Sequence, residues 1–148
     1  MALIWTLVLA LHLLAMAYWI GGATYAVLIS GRVVSLLDAN QKQSVMLQSW
    51  TRFFRSVWHV FGLSVVTGFA LILHEGGFAV VPMPVDIMML LGLAMGAWSI
   101  VIARGPLTRA RRALRPQPAL LDSVRKQTIG VVALGLLAIL AAAFARGI

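Results

Sequence analysis

Four apolar stretches govern what this 148-residue chain can become. They cover about residues 2–29, 54–73, 85–103 and 128–145. A helix needs about 20 mostly apolar residues to cross about 30 Å of hydrocarbon. Within that layer each backbone amide must be bonded inside its own segment. All four stretches meet the requirement, so we expect an all-α polytopic membrane protein: a single domain built as an antiparallel bundle of four transmembrane helices. Only 11% of the residues are charged, against about 25% in soluble domains, so a solvated exterior is out of reach. The first stretch has no basic leader and is too long for a signal-peptide core, which makes it a retained helix.

The basic residues predict its direction. Arg32, Lys42, Arg52 and Arg55 follow the first stretch; Arg104, Arg109, Arg111, Arg112, Arg115, Arg125 and Lys126 follow the third. Residues 74–84 carry none, and Arg146 alone falls on the other side. Eleven of the 12 basic residues thus share one side. Positive-inside logic makes loops 30–53 and 104–127 cytoplasmic. It leaves both termini and the 74–84 loop outside, in the manner of a bacterial inner-membrane protein. The formal charge of +8 then sets orientation and faces anionic headgroups. Nucleic acid is not an expected partner, because no folded basic face exists to present to it. Ser30–Thr51 should continue helically along the interface, while Pro106, Pro116 and Pro118 interrupt the second cytoplasmic loop and Pro82 and Pro84 mark the outer turn.

Helices in lipid associate through close backbone approach and interhelical hydrogen bonds. Small residues four apart supply that contact: Gly22 and Ala26, Ser64 and Gly68, Gly92 and Gly96, with Gly130 and Gly135 in the last span. The Gly92/Gly96 pair is also a candidate surface for a homo-oligomer, and the bundle as a whole for a larger membrane complex.

Ionisable groups inside a span are functional candidates, and the chain has His12, His59, His74 and Asp86. His12 shares a helical face with Trp5, Met16, Trp19 and Ala23. It reads either as a neutral histidine bonded to a neighbouring helix or as a ligand. His59 reads as a rim histidine or as an axial haem ligand, with Arg52 and Arg55 pairing the propionates. His74 reads as a solvated loop residue. Met16 lies one turn from His12, and Met88, Met89 and Met95 lie on the third span. Thioether with imidazole suits Cu(I), although methionine is also ordinary filler of irregular gaps. The absence of cysteine removes disulfides, iron–sulfur clusters and thiolate zinc sites. The four carboxylates, Asp38, Glu75, Asp86 and Asp122, form no acid–base pair on one helix. No catalytic residue is assigned, and any chemistry must come from a cofactor, a metal or a partner subunit.

The run from His12 through Trp19 to Gly21 and Gly22 resembles the first-helix signature of the CopD-type membrane family. Arg52-Phe53-Phe54-Arg55-Ser56-Val57-Trp58, Thr67-Gly68-Phe69, Gly76-Gly77-Phe78 and Met89-x-x-Gly92 are similar to later parts of it, and HemJ-type protoporphyrinogen oxidases resemble it more distantly. The resemblance implies a four-helix bundle associated with copper transport or b-type haem, with His12 as a ligand. Asp86 stands near the start of the third helix, where relatives place a histidine or a lysine. The leading expectation is a haem b or redox-accessory, electron-transfer subunit using His12, His59, Arg52, Arg55 and Trp19. The alternatives are a copper-handling protein using His12, Met16 and Asp86, and an accessory subunit without a cofactor; an oxidase is a minor reading.

Overall fold

A computed structural model describes residues 2–145; Arg146 lies outside the described residues. Four long helices make up most of the chain: α1 (Ala2–Leu28), α2 (Ala39–His74), α3 (Met83–Ile102) and α4 (Pro118–Ala145). No strand occurs among the described residues. All four helices are long and apolar enough to cross a membrane. The protein is an all-α, four-helix integral membrane protein.

The helices overrun their apolar stretches for local reasons. Ser30–Thr51 does not run as one helix along the interface as expected: short turns end at Leu36. Because neither glycine nor proline occurs between Ala39 and Phe61, residues from Ala39 on join the second span as one helix of 36 residues. At 1.5 Å per residue it is about 54 Å long, well beyond the hydrocarbon. Asp38 starts it from an extended conformation, its carboxylate accepting from the Gln41 amide at 2.9 Å. At the end of α3, Pro106 has no amide to donate. The ladder widens into a π-turn over Ala103–Leu107, with Gly105 at φ −90°, ψ −106°, and the Thr108 hydroxyl bonds the Ala103 carbonyl at 2.6 Å. The helix therefore resumes over Thr108–Arg112 instead of ending at Arg104. Helix α4 begins at Pro118, ten residues ahead of its apolar stretch, because proline suits the first turn of a helix.

Side-chain contacts fix an up-down-up-down arrangement. Trp5 stacks on His74, with ring centroids 3.9 Å apart. Further along, Tyr18 meets Ser56 at 2.8 Å; as α1 numbers rise, α2 numbers fall. Trp98 of α3 packs against Gly130 of α4, and Ile20 and Met95 both press on Gly135. The Arg125 guanidinium donates to the Val27 carbonyl at 3.1 Å, tying α4 to the last turn of α1. The core is formed by Trp19, Trp50, Met95, Ile102, Val124 and Val131. Leu3, Leu7, Leu14, Leu136, Leu140 and Phe144 stand more than half exposed on the outside, the arrangement a bilayer solvent demands. Gly96 is buried, and Phe61 of α2 lies where its Cβ would be, so this glycine is engaged inside the chain. Of the helix pairs adjacent around the bundle, α2 and α3 meet least closely and leave a seam between them.

Candidate metal centre

The site forms where α1 passes the small-residue face of α2. Gly68 has no side chain, and a Cβ there would lie 3.1 Å from Cε1 of His12. The imidazole of His12, partly buried, occupies that space. Its Nδ1 lies 3.1 Å from the Ser64 carbonyl and 3.0 Å from the Thr67 hydroxyl. The Thr67 hydroxyl gives its own proton to the Leu63 carbonyl at 2.6 Å. Both atoms facing Nδ1 are therefore acceptors, and Nδ1 carries a proton shared between them. In the neutral ring the lone pair is on Nε2. Fixing one imidazole nitrogen with a carbonyl so that the other can bind is how proteins orient ligating histidines.

His12 borders a small cavity between α1, α2 and α3, with about 60 Å³ of free interior. Met16, Met88 and Met89 line the same cavity. Buried Trp19 lines it too, and its indole Nε1 has no hydrogen-bond partner; nor does the hydroxyl of Ser64. Those two atoms are closed off from anything the size of a water, so the donor groups on the chamber's lining are the His12 imidazole and the methionine thioethers. The chamber is ion-sized or water-sized, since a water needs about 10–15 Å³ of such space. Drug-sized ligands take about 300–1,000 Å³.

The other sequence candidates are distributed differently. His59 is exposed on α2, five positions before Ser64 and thus about 7.5 Å along the axis, and does not line the chamber. Arg52 is exposed, and Arg55 borders a separate cavity at the basic end. Asp86 does not bond His12; its buried Oδ1 has no partner. It lies one turn from Met89, on the side away from the basic end. His74 is stacked on Trp5 at that same end. No cluster of three histidine, aspartate or glutamate side chains occurs among the described residues. Sequence reasoning missed the clamp from Ser64 and Thr67, although Ser64 and Gly68 already stood out as a small-residue pair.

Gly68→Ala probes the seat of His12. The added methyl would meet the ring at 3.1 Å and should displace it from Ser64 and Thr67. Loss of an orienting contact commonly lowers metal affinity about 10–100-fold, and a titration against a competing chelator should show a fall in that range.

Compared with protein-family models, with curated proteins and with solved structures, the chain matches none.

Proposed function

We propose that this integral membrane protein binds Cu(I) inside its helix bundle and takes part in copper handling. The observation that carries this reading is the clamped His12, held through Nδ1 with no hydrogen bond on Nε2, on the lining of a chamber shared with Met16, Met88 and Met89. Imidazole and thioether are soft, uncharged donors that select Cu(I) over harder divalent ions. Structural zinc takes four ligands, thiolate, imidazole or carboxylate, and the chamber provides a single ligand of these types. Asp86, also a candidate in the copper reading, does not line the chamber; it lies one turn from Met89 with one buried oxygen unpaired. The likeness of the His12–Gly22 run to the CopD-type family supports the same reading.

The haem b reading fits these residues less well. A porphyrin needs a slot far larger than about 60 Å³, and the second histidine it would use, His59, is exposed and displaced along α2.

Anaerobic titration of the purified protein with Cu(I), against a chromophoric chelator, tests the proposal. We expect one Cu(I) retained per chain, together with a spectrum lacking a Soret band. Failure to compete with the chelator, or a Soret band after haem-replete expression, would overturn it.

A further inference from the structure

A second, chemically distinct site lies at the opposite end of the α2–α3 seam. Arg55 of α2, Arg104 in the π-turn and Arg111 in the helical turn beyond it line one cavity of about 290 Å³. None of the three guanidinium groups has a hydrogen bond or ion pair to another described residue. The single ion pair among the described residues joins Lys126 to Asp122 at 2.7 Å. Asp38 caps the start of α2, and Glu75 and Asp86 lie at the far end of the bundle. All three are exposed, so their mutual repulsion is screened in water, and together they present a local excess of positive charge to an anion. Guanidinium groups match the oxygens of a phosphate through paired hydrogen bonds.

The hollow adjoins a narrow, nearly filled apolar seam with about 10 Å³ of free interior. Phe54 and Trp58 line both the basic cavity and the narrow seam above it. The seam passes Gly96 and Ser99, whose buried hydroxyl has no partner, and reaches Phe61, which borders the His12 chamber. Trp58 is 42% exposed, and tryptophan favours the level of lipid headgroups. A basic hollow of headgroup size, bordered by an exposed tryptophan at the lipid-headgroup level, matches an amphiphile better than a free ion.

We propose that this end of the seam binds an anionic phospholipid, with its phosphate among Arg55, Arg104 and Arg111 and its acyl chains on the lipid-facing outside of the bundle beside the exposed Trp58. The site is independent of the Cu(I) reading: it shares no ligand with the His12 chamber.

Native mass spectrometry of the full chain, released from mixed micelles of phosphatidylglycerol and phosphatidylcholine, reads the preference directly. Phosphatidylglycerol should be retained at least about tenfold over phosphatidylcholine, and inorganic phosphate should not displace it. An attraction of the size expected for one arginine near an anionic surface corresponds to about fivefold. The pair Arg104→Gln and Arg111→Gln should therefore bring the two lipids close to parity. The pair Arg112→Gln and Arg115→Gln removes the same charge outside the cavity and should leave the preference intact. If the first pair fails to fold, Arg55→Gln on the exposed side of α2 carries the same test, with about a fivefold loss. Equal behaviour of the two pairs would overturn the proposal in favour of diffuse attraction. Equal retention of both lipids would overturn it outright, and displacement by inorganic phosphate would assign the cavity to a free anion.

Discussion

His12→Ala should lower Cu(I) affinity at least about 100-fold, since loss of a mere orienting partner already costs about 10–100-fold and here the binding nitrogen itself disappears. The chamber would keep Met16, Met88 and Met89, so weak thioether binding should survive. Thr67→Val separates ligation from orientation. It removes one acceptor of the Nδ1 proton and leaves the Ser64 carbonyl at 3.1 Å in place. We expect at most about a tenfold loss there. Met16→Ala should fall between the two. The apo protein should be only slightly less stable in His12→Ala, because a hydrogen bond is worth about 1 kcal/mol net. A copper stoichiometry unchanged by His12→Ala would place the metal elsewhere in the bundle.

Gly135→Val should destabilise the bundle by about 3 kcal/mol, the upper end of overpacking costs. Gly135 is where three helices converge. A Cβ there would lie 2.7 Å from Cγ1 of Ile20 on α1 and 3.2 Å from Cε of Met95 on α3. Met95 is fully buried but meets the Cβ only with its flexible terminal methyl, whereas Ile20, 7% exposed and β-branched, cannot swing away without moving a helix. Gly21→Val on α1 is the matched control, because a Cβ at Gly21 meets nothing within 4 Å. It adds the same β-branched side chain and should change stability little. Thermal unfolding in detergent checks both. Ile20→Ala combined with Gly135→Val should recover much of the loss, because the clash is between those two side chains. Equal losses at Gly21 and Gly135 would mean that backbone preference, not packing, governs both positions.

Much of the architecture was legible because hydrocarbon imposes a length and a polarity on any segment that crosses it. Four apolar stretches sufficed to predict four spanning helices. Helix ends were less legible. Nothing in residues 39–53 stops a helix, and only the continuous α2 shows that the interfacial segment and the span share one axis. Pro106 looked like a break, yet a π-turn and the Thr108 hydroxyl absorb it. Both outcomes depend on neighbours that a one-dimensional pattern does not contain.

The site divides in the same way. That His12 is an unusual residue to place in a span follows from the cost of a polar ring in lipid, and that Met16 lies one turn away follows from helical spacing. Sequence alone therefore determined the four-helix class, the one-sided placement of basic residues and the identity of the outstanding histidine. Tertiary structure decided which helices touch. It put Ser64, Thr67 and Gly68 of α2 against His12, brought Met88 and Met89 of α3 to the same chamber, and left His59 on the exposed side. Periodicity gives the face on which a residue lies within its own helix, but a binding site needs the rotation and depth of each helix relative to the others. Those are set by close contacts such as Gly96 with Phe61 and Gly135 with Ile20.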